Sequence, residues 1–185
     1  NVEIYRESEL GLDDILAVGV DHVAIATGAS WRRDGYGNYH QCPMDPLPPE
    51  DKTFTPDDLF SGRLPSGTTV VFDDDGFYLA GAIADKLVKN GNEVIYVTPH
   101  ALVSNWSDNS GDQPRVHKHL AELGVKIILN HGVDSFDGET AVLGCAFTEA
   151  QQSIAADNLV LVTCRTPWDE LYYKLLDAIE EGVEG

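Results

Sequence analysis

Three consecutive aspartates, Asp73, Asp74 and Asp75, followed at once by Gly76, are the residues best suited to chemistry in this chain. Grouped carboxylates can act as nucleophile and general acid or base, or hold a divalent cation. Adjacent side chains diverge on an extended backbone, however, so a compact metal cage from these three alone is disfavoured. The histidines do not complete a site. His117 and His119 lie two apart on a helical pattern and face different ways, and His40 and Cys42 share a loop without visible partners. His22, His100 and His131 stand at element ends. No spacing supports a Ser/His/Asp set or a glycosidase-like pair of carboxylates, so no catalytic residue and no metal ligand is assigned.

The aspartates sit inside a strand-turn-helix-strand pattern. Val70 to Phe72 is a short apolar run, and Leu79, Ile83 and Leu87 then recur at helical spacing, with Ala80 and Ala84 widening the face. Asn90-Gly91 stops the helix, and Glu93 to Val97 reads as a second, β-branched strand. Such a unit builds a parallel sheet and often cradles a nucleotide at its first turn. The glycine fingerprint of that turn, G-x-G-x-x-G/A, falls here on Asp75, Phe77 and Ala80. Alanine satisfies the third position, which needs only close helix-strand packing. Phe77 blocks the approach of a pyrophosphate to the backbone, and Asp73, Asp74 and Asp75 supply negative charge where phosphate needs positive potential. The segment 97–99 (V-T-P) also lacks the acidic residue that reads a ribose. The turn Asp73, Asp74, Asp75, Gly76, Phe77, Ala80 therefore reads as a degenerate dinucleotide turn. A carboxylate is expected to cap the helix where phosphate would stand.

Around this unit the chain reads as α/β. Residues 1–5 and Val20 to Ala26 suggest strands, and Glu9 to Leu16 a turn or short helix. Residues 30–66 are loop-like, with six prolines from Pro43 to Pro65 and a short helix opened by Thr55 and Pro56. Gln113 to Leu123 predicts an amphipathic helix and Val125 to Leu129 a strand. Short alternating stretches follow (Thr140 to Phe147, Ser153 to Ala155, Leu159 to Thr163), with Asp137-Gly138 as a hairpin turn. Trp168 to Ile179 predicts a last helix, and E-E-G-V-E-G (180–185) a frayed or truncated end.

Acidic residues outnumber basic ones 31 to 12, a formal charge of −19, which argues against nucleic acid or an anionic membrane as partner. No stretch approaches the roughly 20 apolar residues of a membrane span. The three cysteines, Cys42, Cys145 and Cys164, are odd in number and suggest neither zinc nor a disulfide framework, so a cytoplasmic setting is the simplest. The chain starts at Asn1 without a methionine and reads as a piece of something longer.

Two resemblances follow. V-V-F-D-D-D-G-F (70–77) resembles the strand-end motif of the haloacid dehalogenase phosphatases, which would make Asp73 the nucleophile and Asp75 the acid/base, with Mg2+. The later motifs of that family find no place in this chain. The second resemblance spans nearly the whole chain. D-H-V-A-I-A-T-G-A-S-W-R (21–32), D-D-L-F-S-G-R-L-P (57–65), the aspartate turn, A-D-K-L-V-K-N-G-N-E-V-I-Y-V-T (84–98) and L-V-T-C-R (161–165) occur in order. Together they resemble the C-terminal nucleotide-binding-like region of the trimethylamine, dimethylamine and histamine dehydrogenases, with the 2,4-dienoyl-CoA reductases as more distant relatives.

That resemblance implies a Rossmann-like fold of the FAD/NAD(P)-binding type, with a parallel sheet, crossover helices and an added antiparallel β element. It divides the chain into a partial FAD/ADP-binding-like segment with a long loop (1–63), an NAD(P)H-binding-like domain (64–165) and a return segment (166–185). It implies a parent oxidoreductase, homo-oligomeric, whose barrel carries FMN and a [4Fe–4S] cluster and whose FAD-like domain holds ADP or FAD. Thr27 and Gly28, in the A-T-G turn, become possible nucleotide neighbours. Cys164 stands where the family's V-T-G-R has glycine, which disfavours a tight nucleotide-facing turn there. The fragment itself is expected to carry no cofactor and no catalysis, its partner being the rest of the parent chain. The alternative within this resemblance is a working NAD(P)H-binding module of a flavin reductase.

Overall fold

The computed structural model describes residues 2–180 and Gly182. In chain order the helices are α1 (Leu12–Val18), α2 (Pro56–Phe60), α3 (Leu79–Lys89), α4 (Gln113–Glu122) and α5 (Glu170–Glu180). The strands are β1 (Ala29–Trp31), β2 (Thr53–Phe54), β3 (Thr68–Asp73), β4 (Glu93–Val97), β5 (Lys126–Ile128), β6 (His131–Phe136), β7 (Thr140–Cys145), β8 (Gln151–Ala155), β9 (Asn158–Val162) and β10 (Arg165–Pro167). These fall into two compact units, Trp31–Arg165 and the described residues of Asn1–Ser30 with Thr166–Gly185.

The larger unit is built on a five-stranded sheet in the order β2-β9-β3-β4-β5. Every pairing in it is parallel, with Val71 opposite both Tyr96 and Val160. The strands β3, β4 and β9 read as continuous apolar runs because both of their faces are covered. Val71, Tyr96, Val160 and Val162 point to one side, where Ala80, Ile83, Ala84 and Leu87 of α3 and Leu120 of α4 meet them. Val70, Phe72, Ile95, Val97, Leu159 and Leu161 point to the other, against Val133, Phe136, Ala141 and Leu143. That second layer is a three-stranded antiparallel sheet, β6-β7-β8. Its first hairpin turns at Asp137-Gly138 as the sequence predicts: the Asp137 carboxylate accepts the Glu139 and Thr140 N–H groups, and Gly138 takes φ +97°. A Rossmann-like α/β domain with an added antiparallel element is the result.

The long segment 31–66 belongs to this larger unit. Charge pairing, which composition does not reveal, holds it there. Asp58 on α2 accepts from Arg33 and Arg63 and from the Thr55 N–H that opens its own helix. Burial alone would raise its carboxyl, but these donors bring it down to about 2. The Trp31 N–H is donated to Asp57 at 2.8 Å. The strand β2, two residues long, is too short to show an alternation in the sequence.

In the smaller unit the expected strands at residues 2–5 and Val20 to Ala26 are absent. β-Branched alternation favours an extended chain, but a strand also needs a neighbour to take its N–H and C=O groups. None lies beside these residues among those described, and Val2, Ile4, Tyr5, Val20 and Val23 are exposed. The first helix is displaced to α1, with Gly19 in the left-handed region (φ +65°) at its end. The predicted last helix is present as α5, and most of the tail 180–185 lies outside the described residues.

Leu120 is the single buried apolar anchor of α4, fully enclosed against the sheet. Leu120→Ala is expected to cost about 2–5 kcal/mol, the usual range for emptying such a position. Urea unfolding followed by circular dichroism measures it.

Candidate functional site

The candidate site is the turn between β3 and α3, which leaves the carboxyl edge of the parallel sheet. It carries three carboxylates, two of them buried, and each is held by a different part of the protein. Asp73 ends β3 with no exposed surface. One of its oxygens accepts the Gly76 N–H at 2.8 Å, and the other accepts the hydroxyl of Tyr96, on the neighbouring strand β4. Burial pushes this carboxyl up to about 7 against the two hydrogen bonds, with Asp75 and Asp74 adding to the rise. The Tyr96 phenol is raised as well, by burial and by Asp73 beside it.

Asp74 is buried too, and turns the opposite way. Its carboxylate accepts the backbone N–H groups of Asn38 and Tyr39, while its own N–H is donated to the Val162 carbonyl at the end of β9. Asp75 is half-buried and faces Arg165, 3.6 Å away. Burial raises its carboxyl, with Arg165 opposing.

Gly76 occupies the left-handed region (φ +71°), and a Cβ there would stand 2.8 Å from Trp106 and 2.9 Å from His100 Nε2. The Trp106 N–H closes onto the Gly76 carbonyl at 2.9 Å. Phe77, at the second fingerprint position, is half-exposed. With Tyr78 and Trp106 it lines an open groove of about 950 Å³ that also carries Arg115 and Lys118 of α4. Ala80, at the third position, is fully buried in the helix-sheet contact, which is the role that position has in the fingerprint.

One expectation fails. The aspartates do not cap α3: among the described residues no side chain accepts from the N–H groups of Leu79, Ala80 or Gly81. The carboxylates reach only Gly76 and Phe77 within the turn, and otherwise point to Tyr96, to the 38–39 backbone and to Arg165. A buried carboxylate is best satisfied by several converging donors, and those donors lie on the sheet side of the turn. Asp75 and Phe77 stand where the glycine fingerprint has bare backbone. Asp73, which would be the nucleophile of a phosphatase, is wholly enclosed with both oxygens engaged. Among the described residues no group of three or more His, Cys, Asp or Glu could hold a metal ion. Among the described residues no helix is long and apolar enough to cross a membrane.

Thr27 and Gly28 belong to the smaller unit. The Thr27 hydroxyl is donated to the Trp168 carbonyl, and the Trp168 N–H returns to the Gly28 carbonyl at 3.0 Å. Gly28 takes φ +93°, which its lack of a side chain permits. Cys164 holds the 31–66 segment through its carbonyl, which accepts the Arg32 N–H at 2.9 Å. Two of the histidines make structural contacts: His119 Nε2 meets Asp85 at 2.7 Å, joining α4 to α3, and His40 Nε2 meets the Val133 carbonyl at 2.8 Å. Sequence reasoning missed Tyr96, Asn38, Tyr39 and Arg165. Tyr96 carries a usable signal, since a tyrosine in a buried strand must find a partner for its hydroxyl.

The enclosed Asp73 gives stability a pH dependence of definite sign. Its carboxyl titrates near 7 when folded and near 3.9 when unfolded, so the folded state binds more protons between those values. The contribution is complete below about 4 and is lost as pH rises through about 7. Asp58, held down to about 2, acts oppositely and only at lower pH. Asp73→Asn is therefore expected to flatten the loss of stability between pH 5 and pH 8, read from urea midpoints at both pH values. An unchanged slope would contradict the assignment.

Residues 54–145 match the model of the OYE-like second alpha/beta domain. Histamine dehydrogenase from Rhizobium sp. 4-9 is 37% identical and superposes with a TM-score of 0.87, over 100% of this chain and 29% of that one. The 6-hydroxypseudooxynicotine amine oxidase from Pseudomonas geniculata N1 is 34% identical with a TM-score of 0.86, over 97% of this chain and 27% of that one. Dimethylamine dehydrogenase from Hyphomicrobium sp. (strain x) is 25% identical over 92% of this chain and 26% of its own length. The chain thus spans under a third of the length of the relatives it matches. Residues 54–145 thus carry an OYE-like second alpha/beta domain, and in sequence and in fold the chain resembles the corresponding part of the dimethylamine and histamine dehydrogenases.

Proposed function

We propose that this chain is the nucleotide-binding-like part of a flavin- and iron–sulfur-dependent amine dehydrogenase-type oxidoreductase, and that its own dinucleotide turn no longer takes a nucleotide. The observation that carries this reading is that all three aspartates of the turn are engaged by the protein itself: Asp73 by Tyr96 and Gly76, Asp74 by Asn38 and Tyr39, Asp75 by Arg165. Fold and site are separable, so a chain can keep a dinucleotide architecture while its site changes.

On this reading amine oxidation takes place elsewhere in the parent, at an FMN and a [4Fe–4S] cluster that this chain does not hold. The unit Trp31–Arg165 then serves as scaffold and interface. Thr27 and Gly28 are the nucleotide neighbours of an FAD-like domain holding ADP or FAD, which the remainder of the parent completes. The glycine-specific backbone at Gly28 supports the tight turn this requires. A homo-oligomeric, cytoplasmic parent is part of the same proposal.

Titration of the full chain with NADH, followed by calorimetry or by nicotinamide fluorescence, is expected to give no saturable binding. Saturable micromolar binding that Asp75→Lys abolishes would instead establish a working NAD(P)H-binding module.

A further inference from the structure

The order β2-β9-β3-β4-β5 reverses the direction of winding at β3. From β3 the chain proceeds to β4 and β5 on one side, whereas β9 and β2 lie on the other. Open α/β sheets bind their ligands in the crevice outside the carboxyl ends of the strands at such a reversal. Here those ends are Asp73 and Val162, and the space beside them contains a piece of the protein.

That piece is the segment Gly35–His40. It is folded on itself by the Gly37 N–H donated to the His40 carbonyl at 2.8 Å. Its Asn38 and Tyr39 N–H groups converge on Asp74, and the Asn38 side-chain amide reaches the Asp74 carbonyl at 3.2 Å. Two neighbouring backbone N–H groups aimed at one point form the kind of concavity that holds an anion, and the Asp74 carboxylate is that anion. Gly37 lies so close that a Cβ would stand 2.1 Å from an Asp74 oxygen and 3.2 Å from Thr163 Cβ. The Thr163 hydroxyl is buried there without a partner.

The far end is fastened as firmly. The Tyr39 ring sits in space left by Gly132 and Gly144, where a Cβ would come within 2.1 Å of the ring and 2.7 Å of the hydroxyl. That hydroxyl is donated to Asp134 at 3.1 Å, and Gln151 holds the other Asp134 oxygen at 2.7 Å.

We propose that the segment Gly35–His40 is an internal occupant of the β3/β9 crevice, a plug that excludes nucleotides by filling the place a ligand would take. The inference rests on the reading that the dinucleotide turn is vacated, and it identifies what replaces the ligand.

The test combines native-state hydrogen exchange of the full chain with NADH titration. In the unmodified chain the Asn38 and Tyr39 amides are expected to exchange as slowly as those of β3 and β9. Asp74→Ala removes their acceptor, and Gly37→Ala forces the segment off it. Either variant is expected to speed these amides by about 100-fold or more, with β3 and β9 unchanged. The opened variants are expected to bind NADH at least about 10-fold more tightly than the unmodified chain. Fast exchange at Asn38 and Tyr39 in the unmodified chain overturns the plug without any variant. So does an opened variant with no gain in NADH affinity, or a folded variant whose Asn38 and Tyr39 amides stay protected. If Asp74→Ala does not fold, Gly37→Ala decides. Tight NADH binding by the unmodified chain overturns the vacated-turn reading instead, so the two failures are distinguishable.

Discussion

A carboxylate withdrawn from water must find hydrogen-bond donors, because leaving it unpaired costs more than the few kcal/mol that separate folded from unfolded chains. Three successive aspartates at the end of the central strand impose that requirement three times over. Side chains on consecutive extended residues point apart, so the donors must come from different directions. Tyr96 answers from β4, the 38–39 backbone answers from the long segment, and Arg165 answers from the end of the β9 strand connection. The turn thereby ties together the sheet, the segment 31–66 and the chain leaving β9.

The sheet and its helices follow from a separate set of residues. Val70, Val71 and Phe72 are fully enclosed whichever way they point: α3 presents Ala80, Ile83, Ala84 and Leu87 to the face that carries Val71, and the antiparallel sheet covers Val70 and Phe72. Apart from Ala80, none of these residues belongs to the turn. Only Ala80 serves both, as the third fingerprint position and as a packing residue. Packing can therefore preserve the architecture while Asp75 and Phe77 alter what the turn can hold.

This division explains what could be read from the sequence. Periodicity exposes packing, so β3, α3, β4, α4 and β5 were legible to within a residue or two, as was the hairpin at Asp137-Gly138. The aspartate turn was legible as a departure from a glycine-rich pattern, and its carboxylates as groups needing partners. The partners were not. Asn38 and Tyr39 contribute backbone N–H groups, which every residue other than proline possesses and which no side-chain pattern marks. The Val20 to Ala26 segment shows the opposite error: it has the composition of a strand, but pairing depends on a neighbour that composition cannot supply. The long segment 31–66 looked like a connection because its prolines hide a charge cluster, Asp58 with Arg33 and Arg63, whose members lie 5 and 25 residues apart.

The position of β9 has a consequence for how the chain assembles. Of the five parallel strands it comes last in the sequence, yet it lies between β2 and β3 and hydrogen-bonds to both. Until Asn158–Val162 are available, β3 has an open edge, and the apolar faces of β2 and β3 have no strand joining them. Pairings this distant in sequence are slow to form, because the loop between them must be closed before any contact rewards it. The centre of the sheet is thus completed from the far end of the chain, and until then an unpaired apolar edge is open to other copies of the protein.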